Sequence, residues 1–154
     1  MRRFLFAACC LTVLFSTSLK AQNKMRINHL AIFVTDLKQS REFYVKVLGL
    51  DSIPEPFHDN KHLWLDLGFG ASLHIIAGAD KKIEHFLNNH LCLSTPDFAS
   101  FKSILEQRKL AWYNAGGEKG KITTRTDGIL QLWLQDPDGY WIEINNDKKT
   151  LGGK

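Results

Sequence analysis

The sequence predicts an α+β fold built from two tandem copies of one module, each a strand, a helix and three further strands. The segment 132–144 reappears at 63–75, since both begin with Leu-Trp-Leu and end with isoleucine. A second match, Asn-His-Leu, relates 28–30 to 89–91. Two matches in the same order along the chain indicate a duplicated module.

The first module is predicted to span residues 26–78. Alternating apolar and polar side chains predict its strands, and Asp36 with Gln39 three positions later is typical of a capped helix start. Gly49 is a natural end for that helix. The predicted order is a strand at 27–35, a helix that starts at Asp36, and strands at 51–54, 62–67 and 71–77.

The second module is predicted to span residues 87–147. It opens with a strand at 90–95, and a helix follows whose first turn contains Pro96, where a missing N–H does no harm. A second strand is predicted at 110–114. The last two strands flank the tight turn Asp-Pro-Asp-Gly at 136–139, because proline presets one backbone angle and glycine permits a positive one.

The predicted strands have two chemically different faces. One face is aliphatic, and the other carries histidine, glutamate, tryptophan, glutamine and serine. The aliphatic face must pack on the helices, which therefore lie outside. A duplicated mixed sheet of this kind is expected to curl, so that its polar face becomes the inside of a cup.

Four potential metal ligands occupy matched positions of the two copies and point into the predicted cup. His29 matches His90, and His74 matches Glu143. Imidazole nitrogens with a carboxylate suit one divalent transition metal, which could be zinc, nickel, cobalt, manganese or iron. A single histidine could instead be a hydrogen-bonded interior side chain, but the matched placement of all four favours a metal site.

Three tryptophans, Trp64, Trp133 and Trp141, lie on the same strand faces as these ligands. They are candidate substrate-binding residues, and they could equally well fill the core. The other histidines have no matched partner in the repeat, and we interpret them as surface or rim residues. They are His58, His62 and His85.

Three motifs resemble the vicinal oxygen chelate superfamily, which includes glyoxalase I, methylmalonyl-CoA epimerase, fosfomycin- and bleomycin-resistance proteins and extradiol dioxygenases. They are Ile-Asn-His-Leu-Ala-Ile at 27–32, Asn-His-Leu at 89–91 and Asp-Pro-Asp-Gly-Tyr-Trp-Ile-Glu at 136–143. The resemblance covers residues 25–147 and implies paired βαβββ modules around one metal. His29, His90 and Glu143 stand at its ligand positions. His74 departs from the glyoxalase pattern, in which glutamate or glutamine is usual at that place.

The resemblance implies a glyoxalase-like lyase or isomerase with Glu143 and His74 as catalytic residues. A carbonyl or enediolate oxygen of a small-molecule substrate would be polarised at the metal, while Glu143 moves the proton on the neighbouring carbon. An alternative is an extradiol-type dioxygenase, in which His29, His90 and Glu143 hold Fe(II) and His74 is an acid–base residue. A third is a non-catalytic protein that binds a small molecule or an antibiotic. The resemblance allows a homodimer, because the two modules can close within one chain or pair across two chains.

Residues 1–21 have the layout of a secretory signal peptide, with a basic start, an almost wholly apolar run over 4–15 and cleavage expected after Ala21. We therefore expect export, to the periplasm. The apolar run is too short to span a membrane. Too few apolar residues precede Cys9 for a lipid anchor, so we expect a protein that is not inserted in the membrane once the signal is removed.

Charge excludes one class of partner. The 154-residue chain carries 20 basic and 16 acidic residues, a formal net charge of +4. Loss of the signal peptide removes Arg2, Arg3 and Lys20 and no acidic residue, which leaves a net charge of +1. No basic block remains that would indicate nucleic-acid binding. Residues 148–154 are interpreted as a C-terminal tail.

Overall fold

The computed structural model describes residues 24–150, and the predicted signal peptide lies outside them. The elements are, in chain order, β1 (His29–Val34), α1 (Leu37–Arg41), β2 (Ser52–Ile53), β3 (His62–Gly68), β4 (Ala71–Ala77), β5 (His90–Ser94), α2 (Phe98–Gln107), β6 (Thr123–Thr124), β7 (Leu130–Gln135) and β8 (Trp141–Asn145). A π-helical segment, Glu42–Val47, continues α1, and a 3-10 turn, Lys148–Thr150, follows β8. Among residues 24–150, no helix is long and apolar enough to cross a membrane.

The strands form two four-stranded mixed sheets of identical topology. The strand order is β1-β4-β3-β2 in the first sheet and β5-β8-β7-β6 in the second. In each sheet the first and last strands of the module pair in parallel, and the other neighbours are antiparallel. The predicted fold, two βαβββ modules with sheets that form a cup, is therefore confirmed.

The residue pairing shows how closely the two modules correspond. His74 of β4 pairs with Ala31 of β1, and Glu143 of β8 pairs with Cys92 of β5. On their other sides, His74 pairs with Trp64 and Glu143 with Trp133. Because side chains alternate along a strand, this identical register places His74 and Glu143 on the corresponding face of the two sheets.

The core lies on the aliphatic face of both sheets. In β1 the alternation is visible in the burial, since Ile32 and Val34 are buried while Phe33 between them is 51% exposed. Besides Val34 of β1, the best-buried aliphatic side chains come from the inner strands of both modules and from α2. They are Leu65, Leu73, Ile75, Leu105, Leu132, Leu134 and Ile142. Each such side chain contributes about 1.5–3 kcal/mol on burial, so this face, and not the polar one, stabilises the fold.

Asp36 caps the first helix as predicted. One carboxylate oxygen of Asp36 accepts hydrogen bonds from the backbone N–H groups of Lys38 and Gln39, at 2.8 and 3.1 Å. The Gln39 amide also donates to the other Asp36 oxygen at 2.9 Å. These donors would otherwise lack partners at the first turn.

The second helix starts about two residues later than predicted. The cap is Asp97, whose carboxylate accepts from the backbone N–H of Ser100 at 2.9 Å, and the helix begins at Phe98. Pro96 therefore precedes the cap and is not in the first turn. An aspartate that can accept from the first-turn N–H groups is the stronger start signal.

The predicted strand at 110–114 was also wrong. Only Tyr113 makes strand-like contacts in this segment, as isolated bridges to Lys119 and Trp133. The chain turns back immediately afterwards, where the N–H of Gly117, at φ +80°, donates to the Asn114 carbonyl at 3.0 Å. The second strand of this module is instead β6, which lies at one edge of the sheet beside β7.

The turn at 136–139 joins the two modules. The buried Tyr44 hydroxyl donates to the Asp136 carboxylate at 2.9 Å, and burial raises the pKa of both side chains. The Thr35 backbone N–H and hydroxyl both donate to Asp138, at 2.8 and 2.7 Å. The turn between the last two strands therefore also fixes one module against the other.

Candidate metal centre

The second module brings His90 and Glu143 together. They lie on the adjacent parallel strands β5 and β8, and Nε2 of His90 is 3.0 Å from Oε2 of Glu143. The side chain of Glu143 is 8% exposed and that of His90 is 22% exposed. This pair is the most nearly complete part of the predicted site.

A backbone contact determines which nitrogen of His90 faces Glu143. Nδ1 of His90 is 2.8 Å from the carbonyl oxygen of Leu87, which can only accept, so Nδ1 carries the proton. In the neutral ring, Nε2 then presents a lone pair to the carboxylate. Two such groups at 3.0 Å repel each other unless a proton or a metal ion lies between them. Two ligands of one metal lie about 3–3.5 Å apart and an N–H···O hydrogen bond is about 2.7–3.2 Å long, so the 3.0 Å spacing is compatible with a shared metal or a shared proton.

Glu143 is held as an anion with one oxygen directed to His90. Its other oxygen accepts from the side-chain amides of Gln131 and Asn145, at 2.5 and 3.1 Å. Burial acts to raise the pKa of Glu143, but the hydrogen bonds from Gln131, Asn145 and Cys92, with the charge of His90, outweigh it and leave the pKa lowered. The carboxylate is therefore ionised at neutral pH, as a metal ligand must be.

The first module brings His29 and His74 together. Their ring centroids are 5.9 Å apart. Nδ1 of His29 is 2.7 Å from the amide oxygen of Asn28, so Nδ1 donates and Nε2 keeps the lone pair, as in His90. Burial, followed by the charges of His62 and His29, lowers the pKa of His74, which is therefore neutral at neutral pH and able to act as a ligand.

His62 contacts the site, contrary to its prediction as a surface or rim residue. Its Nδ1 is 2.9 Å from Nε2 of His74, and its side chain is only 17% exposed. The repeat contained the signal, because the shift that relates His74 to Glu143 also relates His62 to Gln131, and Gln131 contacts Glu143 in the same way.

The remaining two histidines differ from each other. The His58 side chain is 85% exposed, as predicted. His85 is half-buried and packs on Tyr140, with ring centroids 4.0 Å apart. This position is compatible with its prediction as a rim residue, and the linker between the modules folds back against the second one.

Trp64 and Trp133 flank the two pairs at equivalent positions. Trp64 stacks on His74 with ring centroids 4.2 Å apart, and Trp133 meets His90 edge-on at 5.8 Å. Both indole N–H groups are buried, with no hydrogen-bond partner among the described residues. Trp141 differs, since its indole donates to the His85 carbonyl at 2.9 Å and so ties the linker to β8. Substrate contact by these three residues stays a prediction.

A protein-family model, that of the Glyoxalase/Bleomycin resistance protein/Dioxygenase superfamily, matches residues 26–144 of this chain. The chain belongs to this superfamily. It is 28% identical over 127 residues to Glyoxylase I 4 of Arabidopsis thaliana, covering 78% of this chain and 70% of that one. It is 26% identical over 134 residues to the mitochondrial methylmalonyl-CoA epimerase of Bos taurus, covering 79% and 74%. The solved structure of Oxidase ChaP-H2 superposes with a TM-score of 0.63 at 19% identity, covering 79% and 93%, which shows the shared fold.

Superfamily members generally use a divalent metal, and the donors of this chain suit one. Three imidazoles and one ionised carboxylate occupy the matched positions of the two modules. The tautomers of His29 and His90 leave Nε2 of each ring available to a metal. Within residues 24–150, however, no three histidine, cysteine, aspartate or glutamate side chains are arranged so that they could hold a metal ion. The structure thus presents the four predicted ligands as two pairs, one in each module.

Proposed function

We propose that this protein is a metal-dependent lyase or isomerase that acts on a small substrate containing a carbonyl or enediolate oxygen. The observation that carries the proposal is the 3.0 Å contact between Nε2 of His90 and Oε2 of Glu143, because two groups that can both bind a metal converge there. An epimerase among the relatives supports chemistry at a carbon that exchanges its proton.

His29, His90 and Glu143 would hold the metal, with His74 as a fourth ligand. A divalent transition metal bound there supplies a Lewis acid for the substrate oxygen. Glu143 is the residue that moves the proton on the neighbouring carbon, through Oε2. Gln131 and Asn145 keep its other oxygen occupied, so Oε2 would serve both roles, as metal ligand in the resting site and as base once it leaves the metal.

We propose further that each site is completed by a second copy of the chain, the His29 and His74 pair of one protomer meeting the His90 and Glu143 pair of its partner. The strands β1 and β5 are both sheet edges and flank a cavity of about 250 Å³. Within one chain, the hydrogen bonds from Thr35 to Asp138 fix the modules in an arrangement in which the described residues form no complete metal site. The edge strand β1 also exposes apolar side chains, which suits an interface between two chains.

A deuterium-exchange experiment tests the proposed reaction. The metal-loaded protein is incubated in D₂O with a panel of small 2-oxo acids, 2-hydroxy ketones and acyl thioesters. We expect deuterium to be incorporated at the carbon next to the carbonyl of at least one substrate class. In Glu143→Gln this incorporation should be about 10²–10⁴-fold slower. The matched control is Glu84→Gln, an exposed linker carboxylate. Exchange at equal rates in wild type and Glu143→Gln would contradict the role of Glu143.

The second candidate function, an extradiol-type dioxygenase, is favoured by one observation. His74 is neutral and hydrogen-bonded to another imidazole, as an acid–base residue beside an Fe(II) site would be. In that case His74→Gln would leave iron content unchanged and abolish oxygen uptake with catechols, whereas a ligand role predicts weaker metal binding.

We also propose that the protein is exported and that the mature chain begins at or near Gln22. Residues 1–21 begin with basic residues, continue with an apolar run and end with small residues, and this order supports export. The N-terminal mass of protein purified from the native cell should correspond to a chain that lacks these residues. An intact Met1 in a cytosolic fraction would contradict export.

A further inference from the structure

A polar pair of residues beside Glu143 has no polar counterpart in the first module. Two residues beyond Glu143 on β8, Asn145 pairs with Ser94 of β5. At the equivalent place in the first module, Ile76 of β4 pairs with Phe33 of β1. The same sheet therefore forms with two apolar side chains at this position, so the fold does not require the polar pair. Its presence only in the second module points to a role beside Glu143.

Two donors fix the orientation of the Asn145 amide. The backbone N–H of Asp147, which can only donate, lies 3.1 Å from Oδ1 of Asn145. The Ser94 hydroxyl donates to the same oxygen at 2.8 Å. Because a backbone donor identifies Oδ1, the nitrogen Nδ2 must point the other way. Asn145 is only 4% exposed, so the close-packed surroundings leave it little room to rotate.

The Nδ2 group of Asn145 contacts two acceptors. It lies 3.1 Å from Oε1 of Glu143 and 3.1 Å from Sγ of Cys92. An amide NH₂ group has two hydrogens to donate, so it can satisfy both contacts. Since the two oxygens of a carboxylate are rigidly joined, a donor that holds Oε1 also directs Oε2, which lies 3.0 Å from Nε2 of His90.

We infer that Asn145 is a positioning residue, oriented by Ser94 and the Asp147 backbone, that donates to Oε1 of Glu143 and thereby turns Oε2 toward His90. Asn145 acts through Glu143 and is not itself a ligand. That Oε2 binds a metal rests on the proposed function, but the orientation of the carboxylate does not. Gln131 donates to the same Oε1 from β7, so loss of Asn145 should weaken the site without abolishing it.

Crystal structures of the metal-free protein test the orientation of Glu143. Asn145→Ile introduces the residue type that the first module has at this place, and Asn145→Ala removes the same donor if that variant does not fold. In either variant we expect the Glu143 carboxylate to turn away from His90. The matched control is Asn146→Ile, which loses a hydrogen bond from the Leu130 N–H, 2.8 Å long, and should keep the contact. An unchanged contact between Glu143 and His90 in the Asn145 variants would overturn the inference.

Cobalt(II) binding provides the functional readout. Outer partners of metal ligands typically change affinity by about 10–100-fold, and we expect a loss of that size in Asn145→Ile. The visible absorption bands of the bound cobalt should also shift, because one ligand changes its direction. Asn146→Ile should keep both the affinity and the spectrum of the wild type. Equal affinities and spectra in wild type and Asn145→Ile would contradict positioning. If the wild type binds no cobalt, the proposed function fails, yet the crystal structures still decide the orientation of Glu143.

Discussion

Alanine at His90 or at Glu143 is expected to abolish stoichiometric metal binding. Each change removes one of two groups that lie 3.0 Å apart and leaves the other without a partner at the centre. We expect the affinity to fall by more than the roughly 10–100-fold associated with outer partners of a ligand. Elemental analysis of the purified variants, followed by calorimetric titration with zinc, nickel and cobalt, measures the effect.

His58→Ala is the matched control for His90→Ala, because its side chain is 85% exposed and lies outside both pairs. It should keep the full metal content. His74→Gln should give an intermediate result, since an amide oxygen can coordinate a metal more weakly than an imidazole. Retention of full metal by both His90→Ala and Glu143→Ala would rule out the proposed site.

Two variants that each bind no metal are expected to recover binding when their chains are mixed. One variant carries His29→Ala and His74→Ala, and the other carries His90→Ala and Glu143→Ala. If each site combines the first module of one chain with the second module of another, a mixed dimer has one intact site and one that lacks all four ligands. With random pairing, the mixture should reach about a quarter of the wild-type capacity.

The mixing experiment needs chains that exchange, so the two variants are unfolded and refolded together, and each is also refolded alone as a control. Neither variant alone should bind metal in a molar ratio. A site formed within one chain would be destroyed in both variants, so a mixture that stays at the level of the controls would show that the modules close within a single chain.

The sequence was sufficient to predict the duplication and the faces of the strands, because both depend on short-range regularities. Side chains alternate along a strand, and a repeated motif places equivalent residues at equivalent register. This is why His74 and Glu143 were predicted to share a face with Trp64 and Trp133, as the pairing of β3 with β4 and of β7 with β8 confirms. The cap at Asp36 is likewise a local signal.

The features that the sequence missed depend on contacts between distant residues. His62 has no metal-ligand match in the repeat, and although the repeat aligns it with Gln131, its contact with His74 appears only in the structure. The packing of His85 on Tyr140 depends on how the linker folds. The predicted strand at 110–114 has the apolar composition of a strand, but the turn after Asn114 directs the chain away. How the two pairs of ligands meet depends on the packing of modules or chains, which no local pattern encodes.

The metal content of the mature wild-type protein tests the central claim most directly. The protein is made without an affinity tag or chelator, separated by size, and analysed for all first-row transition metals before and after incubation with each of them. We predict about one divalent metal per chain in the dimeric fraction. A folded protein that takes up none of these metals in a molar ratio, in any oligomeric state, would contradict the account.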